Sequence, residues 1–250
     1  MLSLSMHLEP EVECTMEANP DSVSSRMLKD IFALGVNRLS IGVQSFDDTI
    51  LSRLGRIHSA EQAREAIEVA HERFENVSVD LMCGIPGQTI DHVKQSVQTA
   101  IDLGVTHVSM YPLTIEEHTP FWNMVMAETM PMPDDDESAA HMKAAEELLC
   151  AAGFKRYEVA SYAKPGFECR HNIAYWTGVP YLGLGPSAVT MTQNDQRRMR
   201  KQDNEILDDL DAKQLRVEDV MLGMRMSNGV SDDTVAWAAE LAPNLLSVLE

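Results

Sequence analysis

The chain has 250 residues and a formal net charge of −19, because 39 Asp and Glu residues outnumber 20 Lys and Arg residues. So acidic a surface repels phosphate groups. We therefore expect no nucleic-acid partner, and membrane association at most indirectly. The hydrophobic content of 44% is that of a globular protein and excludes a disordered chain.

The cysteines and the first residues of the chain indicate in which cellular compartment the protein works. Cys14, Cys83, Cys150 and Cys169 form no C-x-x-C pair, so neither a zinc knuckle nor a secreted disulfide framework is indicated. The first basic residue is Arg26, whereas a signal peptide needs a basic segment before its apolar stretch. Charged residues interrupt every long apolar stretch, so we expect no membrane-spanning helix. These features favour a cytoplasmic protein with reduced thiols.

Predicted strands and helices alternate through the first half of the chain. Strands are predicted at residues 12–16, 38–43, 77–82 and 108–111, and helices at residues 22–34, 59–74 and 90–103. Residues 34–41 resemble residues 103–110, and in both copies a glycine ends a helix just before a strand. This repeated βα unit predicts a parallel sheet, either in a barrel or in a doubly wound arrangement.

The pattern changes after residue 113. Prolines at 120, 131 and 133 flank a loop or short helix, and the acidic run at 134–137 predicts a helix that continues to residue 152. Residues 157–162 are predicted to be extended, residues 175–186 are rich in glycine and aromatic side chains, and the chain from about residue 204 is predicted to be helical. The second half is therefore expected to be α+β.

Polar side chains lie at the predicted carboxyl ends of the strands, which share one edge of a parallel sheet. They are Glu17, Asn19, Gln44, Asp80, Tyr111 and Thr114, with Arg56 on the loop after the second strand. A carboxylate can accept both hydrogens of a ribose diol, and an arginine can bind an α-carboxylate through two hydrogen bonds. Gly84 and Gly87 would let the backbone approach a flat ring. The set suits a small zwitterionic ligand with hydroxyl groups, although each side chain could instead cap a helix or pair with a neighbour.

Five sequence blocks carry a resemblance to a known family: residues 17–20 (EANP), 38–46 (RLSIGVQSF), 55–59 (GRIHS), 80–89 (DLMCGIPGQT) and 170–176 (RHNIAYW). In this order they resemble the radical S-adenosylmethionine proteins related to oxygen-independent coproporphyrinogen III oxidase. The H-N-x-x-Y-W segment is similar to that of the heme chaperone branch, the HemW type. The resemblance implies S-adenosylmethionine and heme as cofactors, with a [4Fe-4S] cluster in the full-length family.

The resemblance implies roles for the strand-end residues. Glu17, Gln44, Arg56 and Asp80 match the positions that hold S-adenosylmethionine. Thr114 lies near a position that contacts a second cofactor molecule in the oxidase branch.

The resemblance also points to a heme site. His171 lies in the segment linked to heme binding, and imidazole is a natural axial ligand of heme iron. Cys169 offers a thiolate alternative, whereas His171 could equally hydrogen-bond Asn172 or the backbone. Cys83 stands where the family often has tyrosine and is expected to be a core residue rather than a ligand.

The sequence departs from the family at the cluster. The family binds its [4Fe-4S] cluster through C-x-x-x-C-x-x-C and holds the methionine end of the cofactor with a G-G-G-T-P turn, and neither motif is present. Even the nearest cysteines, Cys150 and Cys169, have 18 residues between them. We therefore expect that Met1 is a late start, that the chain holds no metal, and that this polypeptide alone is inactive in radical chemistry.

Together these features predict an α/β fold. A partial, open βα barrel of about four parallel strands is expected over residues 1–115. An α+β region that completes the barrel and associates with heme is expected over 116–203, and the helical start of a C-terminal domain over 204–250. The expected function is that of a heme chaperone that binds heme and S-adenosylmethionine and transfers heme to an acceptor protein, such as a respiratory heme enzyme. The alternatives are a coproporphyrinogen III oxidase and a remnant that binds nothing.

Overall fold

The computed structural model describes residue 9, residues 11–203 and residues 205–241. It divides into two compact units: the chain up to residue 156 with residues 160–168, and residues 157–159 with the chain from residue 169 onward. Within the described ranges, no helix is long and apolar enough to cross a membrane. The three-part domain division stays a prediction.

A six-stranded sheet in the order β1-β2-β3-β4-β6-β5 forms the centre of the first unit. The strands are β1 (Thr15–Ala18), β2 (Arg38–Gln44), β3 (Asn76–Cys83), β4 (His107–Pro112), β5 (Lys155–Arg156) and β6 (Ser161–Ala163). β1 to β4 run parallel, which confirms the predicted α/β fold with an open sheet of about four parallel strands. β1 lies later in the chain than predicted. Only the last two residues of the predicted extended segment 157–162 are in a strand, because the chain bends between β5 and β6.

Helices follow the strands of the first unit. They are α1 (Ser25–Ala33), α2 (Asp48–Arg53), α3 (Ala60–His71), α4 (Ile90–Asp102), α5 (Pro120–Met126) and α6 (Asp135–Ala151). Capping boxes begin two of them: Ser59 accepts from the backbone N–H of Gln62 before α3, and Thr89 accepts from that of His92 before α4. α2 was not predicted, because six residues are too few to show a helical period.

One face of the sheet forms the core of this unit. Alternate residues of β2 and β3 are apolar and fully buried: Leu39, Ile41, Val43, Val77, Val79 and Leu81. They belong to one cluster with Ile67 of α3, Val97 of α4 and Leu149 of α6. Burial of one such side chain stabilises the fold by about 1.5–3 kcal/mol, so this face provides the hydrophobic stability and leaves the other face for a site.

The second unit contains a three-stranded antiparallel sheet in the order β7-β8-β9. Its elements are α7 (Arg170–Trp176), β7 (Val189–Asn194), β8 (Arg197–Gln202), β9 (Glu205–Asp211), α8 (Ala212–Gly223) and α9 (Asp232–Leu241). The prediction of helix from about residue 204 is therefore wrong over β9. Asp208 and Asp209 form ion pairs with Arg200 and Arg197 of β8, and such cross-strand pairs stabilise a strand whose own sequence looks merely acidic.

Candidate functional site

The face of the six-stranded sheet opposite the core is polar. The register places its side chains in two rows: Ser40, Ser78 and His107 in one, and Asp80, Ser109 and Ser161 in the next. Buried polar groups destabilise a fold unless they are hydrogen-bonded, and Ser78 Oγ and His107 Nδ1 lie 2.8 Å apart. The parallel strands bring this polar surface to a pocket at their carboxyl ends.

The pocket has a volume of about 470 Å³, and the structure brings together in it the four residues predicted to hold one ligand. The lining residues are Glu17, Gln44, Arg56 and Asp80, with Ala18, Asn19, Ser22, Ser40 and Gly42. We call this the polar pocket. Its size lies within the range of about 300–1,000 Å³ that is usual for small-molecule sites.

An irregularity at the end of β2 positions Gln44. Ile41 aligns with Val79 of β3, but Gln44 aligns with Leu81, so β2 contains one extra residue there. Gln44 has a φ of 66°, in the left-handed region that residues other than glycine seldom occupy. Such a conformation costs about 1–3 kcal/mol and is found mainly at functional sites. The bulge therefore redirects the Gln44 amide, which lines the polar pocket.

Hydrogen bonds hold the Arg56 side chain against β2 and the residue that follows β1. Its Nη2 donates to Asn19 Oδ1 at 2.9 Å and to the carbonyl of Gly42 at 3.0 Å. Within the described ranges no acidic side chain forms an ion pair with Arg56. Its positive charge can therefore bind an anionic group of a ligand.

His58 fixes the loop that carries Arg56. The side chain is buried, and its Nε2 lies 3.1 Å from the carbonyl oxygen of Val43. Because a carbonyl only accepts, Nε2 carries the proton and donates. Burial lowers the pKa of His58, which favours the neutral ring. His58 lies in one of the motif blocks, but no role could be predicted for it, because its burial next to β2 is visible only in the fold.

Asp80 is the partly buried acid of the polar pocket. Burial raises the pKa of Asp80 to about 6, and the negative charge of Glu17 acts in the same direction. Hydrogen bonds from Ser109 and Ser40, and the charge of Arg38, oppose this rise. The carboxylate is therefore mostly ionised at pH 7 but close to taking up a proton. A cationic or hydroxyl-bearing ligand would favour the ionised form.

Gly42 keeps the polar pocket open. A Cβ atom at this position would lie 3.1 Å from Gln44 Nε2 and 3.3 Å from Arg56 Nη2, so any side chain would press on both groups. The polar pocket offers two carboxylates for cationic and hydroxyl groups and a guanidinium for a carboxylate. With the space beside Gly42, these groups fit the chemistry of S-adenosylmethionine.

The glycines of the loop after β3 lie close to side chains of the protein itself. A Cβ atom at Gly84 would collide with Ser138 Oγ, and one at Gly87 would collide with the guanidinium of Arg53. These glycines make room for both side chains. The expected approach of this backbone to a flat ring stays a prediction.

The remaining predicted binding residues do not line the polar pocket. Thr114 is exposed just after β4. In the second unit, His171 is exposed on α7, whereas Cys169 is only 4% exposed at the position before that helix. Of this pair, the imidazole is thus the more accessible group. Cys83 lies in the core as predicted, and burial raises the pKa of its thiol to about 12.

The cysteines of this chain do not fit an iron–sulfur cluster. Such a cluster needs several thiolates in one place. All four cysteines are free thiols, two buried, one half-buried and one exposed. Over the described part of the chain, no three His, Cys, Asp or Glu side chains are grouped so that they could hold a metal ion.

Residues 2–100 match the family model of the Radical SAM superfamily. The heme chaperone HemW of Bacillus subtilis is 40% identical over 177 residues, which cover 70% of this chain and 47% of that protein. HemW of Mycobacterium tuberculosis H37Rv is 36% identical over 237 residues, which cover 89% of this chain and 61% of that protein. The chain thus spans about half to three fifths of the length of these relatives.

A solved structure shares the fold. Coproporphyrinogen III oxidase (HemN) from Escherichia coli, a radical SAM enzyme, superposes with a TM-score of 0.74 over 99% of this chain and 64% of its own. The sequence identity is 18%, so this likeness concerns the fold alone.

Proposed function

The chain belongs to the HemW-type branch of the radical SAM superfamily, and from this we propose that it acts as a heme chaperone. In this proposal the first unit binds S-adenosylmethionine in the polar pocket, and the second unit binds heme at His171. The heme is then passed to an acceptor protein in the cytoplasm. The observation that carries the proposal is that Glu17, Gln44, Arg56 and Asp80, which are far apart in the sequence, line one pocket.

In this proposal each residue of the polar pocket binds a different group of the cofactor. Glu17 and Asp80 offer carboxylate oxygens to the ribose hydroxyls and to the positive groups, and Arg56 offers two N–H donors to the carboxylate. S-adenosylmethionine supplies a sulfonium centre when bound. The proposal requires only its binding by this chain, since the cysteines do not fit the cluster that radical chemistry would need.

His171 is the heme ligand in this proposal. Its ring lies exposed on α7, so a bulky macrocycle can reach it. An imidazole can hydrogen-bond through one nitrogen and bind iron through the other, so a hydrogen bond to His171 would orient the ligand rather than block it. Cys169 would have to emerge from its buried position to act instead. Thr114 could contact a second cofactor molecule, as exposure at the end of β4 allows.

Two titrations test the proposal. Heme added to the full chain should give a Soret shift that disappears in His171→Ala and persists in the control His118→Ala, which removes another exposed histidine. Calorimetry should show binding of S-adenosylmethionine that Arg56→Gln weakens by tenfold or more. A heme spectrum unaffected by His171→Ala would refute the heme site. Absence of both binding signals would favour the remnant alternative.

The second candidate is oxidation of coproporphyrinogen III. The fold shared with HemN is compatible with it, but identity to this chain is higher in the HemW proteins. Formation of protoporphyrinogen by the protein extended with a C-x-x-x-C-x-x-C segment would favour this candidate over the chaperone, because the cysteines of this chain alone do not fit the cluster that the reaction needs.

A further inference from the structure

Three aromatic rings lie in a continuous row in the second unit, with the His171 ring tilted by 55° to that of Tyr175 and the rings of Tyr175 and Tyr181 stacked. The ring centroids of His171 and Tyr175 lie 5.0 Å apart, and those of Tyr175 and Tyr181 lie 4.7 Å apart with an angle of 18° between the planes. His171 and Tyr175 are four residues apart on α7, so they share one side of the helix. Tyr181 comes from the loop before β7. We call these three rings the aromatic stack.

Backbone hydrogen bonds and side-chain interactions hold the outer ring of the aromatic stack. Tyr181 pairs with Met191 of β7, and Met191 aligns with Arg200 of β8, so the three residues are neighbours across the sheet. Interaction with the Tyr181 side chain raises the pKa of Tyr175 to about 12. The pKa of Arg200 is raised most by Glu218, and the Tyr181 side chain acts in the same direction. The Tyr181 backbone also donates to and accepts from Met191 of β7, at 3.1 and 2.9 Å. Tyr181 is therefore held through its backbone, and its side chain interacts with both Tyr175 and Arg200.

Arg200 is itself fastened by an ion network. Its Nη atoms donate to the two carboxylate oxygens of Glu218 at 2.9 and 3.0 Å, and to Asp208 Oδ2 at 3.0 Å. Glu218 also pairs with Arg198, whose side chain is fully buried and which donates to Asp219 at 2.6 Å. The guanidinium behind Tyr181 is thus anchored on β8 and α8.

The aromatic stack lies at the surface and is not part of a hydrophobic core. Tyr175 is 41% exposed, and Leu182 and Leu184, next to Tyr181 in the sequence, are 64% and 66% exposed. Burial of apolar area therefore does not explain why the three rings contact one another in this arrangement. Exposed apolar surface beside an imidazole suits a flat, apolar ligand that contains a metal.

We infer that Tyr181 and Arg200 are positioning residues of the heme site, which act through Tyr175 to fix the orientation of the His171 ring. This inference rests on the proposed function, in which His171 binds the iron. A ligand whose ring orientation is set before binding loses less rotational freedom, and the field that it imposes on the iron is better defined. Neither Tyr181 nor Arg200 needs to touch the heme for this effect.

Heme titration of the full chain, with electron paramagnetic resonance of the ferric complex, tests the inference. Tyr181→Leu removes both the ring and its hydroxyl group, and should weaken heme binding about tenfold and broaden the distribution of low-spin g values. Tyr181→Phe keeps the ring but removes the hydroxyl group that interacts with Arg200, and should weaken binding about threefold. The control Tyr162→Phe removes a buried hydroxyl of the first unit that has no hydrogen-bond partner, and should change neither affinity nor g values.

The outcomes separate this inference from the proposed function. If His171→Ala abolishes binding but both Tyr181 variants match the unaltered chain in affinity and g values, the inference is overturned and the heme site stands. If Tyr181→Phe binds heme like the unaltered chain but Tyr181→Leu binds it more weakly, the role of Arg200 is refuted and that of the stacked ring is supported. If His171→Ala binds heme normally, the proposed function itself fails. A circular dichroism spectrum equal to that of the unaltered chain serves as the control for folding of each variant.

Discussion

The two faces of the six-stranded sheet use the same strands for opposite purposes. On one face Leu39, Ile41 and Leu81 are fully buried among apolar helix residues. On the other face Ser40, Ser78 and Asp80 alternate with them, and these polar groups need hydrogen bonds to be tolerated. The first face stabilises the fold, whereas the second gives up stability to present charged groups at the carboxyl edge. Neighbouring residues of one strand can therefore be expected to respond to mutation in opposite ways.

The largest effect should come from the core face. Leu81→Ala deletes a fully buried side chain and should lower the free energy of unfolding by about 2–5 kcal/mol, because it leaves a cavity. Urea denaturation followed by circular dichroism measures this change. The affinity for S-adenosylmethionine of the fraction that stays folded should be unchanged. A specific loss of affinity would mean that the two faces are not independent.

The adjacent residue on the polar face should behave differently. In the proposed site the charged carboxylate of Asp80 binds the ligand, so Asp80→Asn should weaken binding of S-adenosylmethionine by about 1.5–3 kcal/mol, or roughly 10- to 150-fold. Calorimetry at pH 8 measures the loss, with Asp102→Asn on the exposed end of α4 as the control. Equal affinities in the two variants would remove Asp80 from the site.

The pH dependence of stability should reveal the same carboxylate. The pKa of Asp80 is about 6 in the folded chain, against an ordinary value of 3.8. The folded state therefore binds more protons between these values, and the stabilisation from protonated Asp80 is lost as the pH rises through about 6. Between pH 5.5 and 8 the unaltered chain should lose about 1 kcal/mol relative to Asp80→Asn. Urea denaturation of both proteins at the two pH values tests this, and parallel changes would contradict the assigned pKa.

The smallest effect is expected at the floor of the polar pocket. Gly42→Ala places a methyl group close to Gln44 and Arg56, whose side-chain ends can shift by a few tenths of an ångström. We expect a roughly threefold loss of affinity for S-adenosylmethionine, about 0.7 kcal/mol, with little change in unfolding. Unaltered binding in Gly42→Ala and also in Gly42→Val would show that no ligand approaches this floor.

Some features of the fold could be predicted because their signals are local. The glycine that ends a helix just before a strand, at Gly35 and at Gly104, reflects a short-range backbone preference. β9 and α2 were not predicted, because neither has a local sequence signal. Arg200 and Arg197 on the neighbouring strand stabilise β9, and α2 is too short to show a period.

The order of the βα units and the identity of the polar groups at the strand ends follow from side-chain type and spacing along the chain, so both could be predicted. The bulge at Gln44, the closeness of Gly87 to Arg53 and the contact of Tyr181 with Tyr175 become visible only in the folded chain. Each of these depends on a contact between a residue of one element and a residue outside that element. The sequence contains the residues that form such a contact, but their proximity in space depends on the folded backbone.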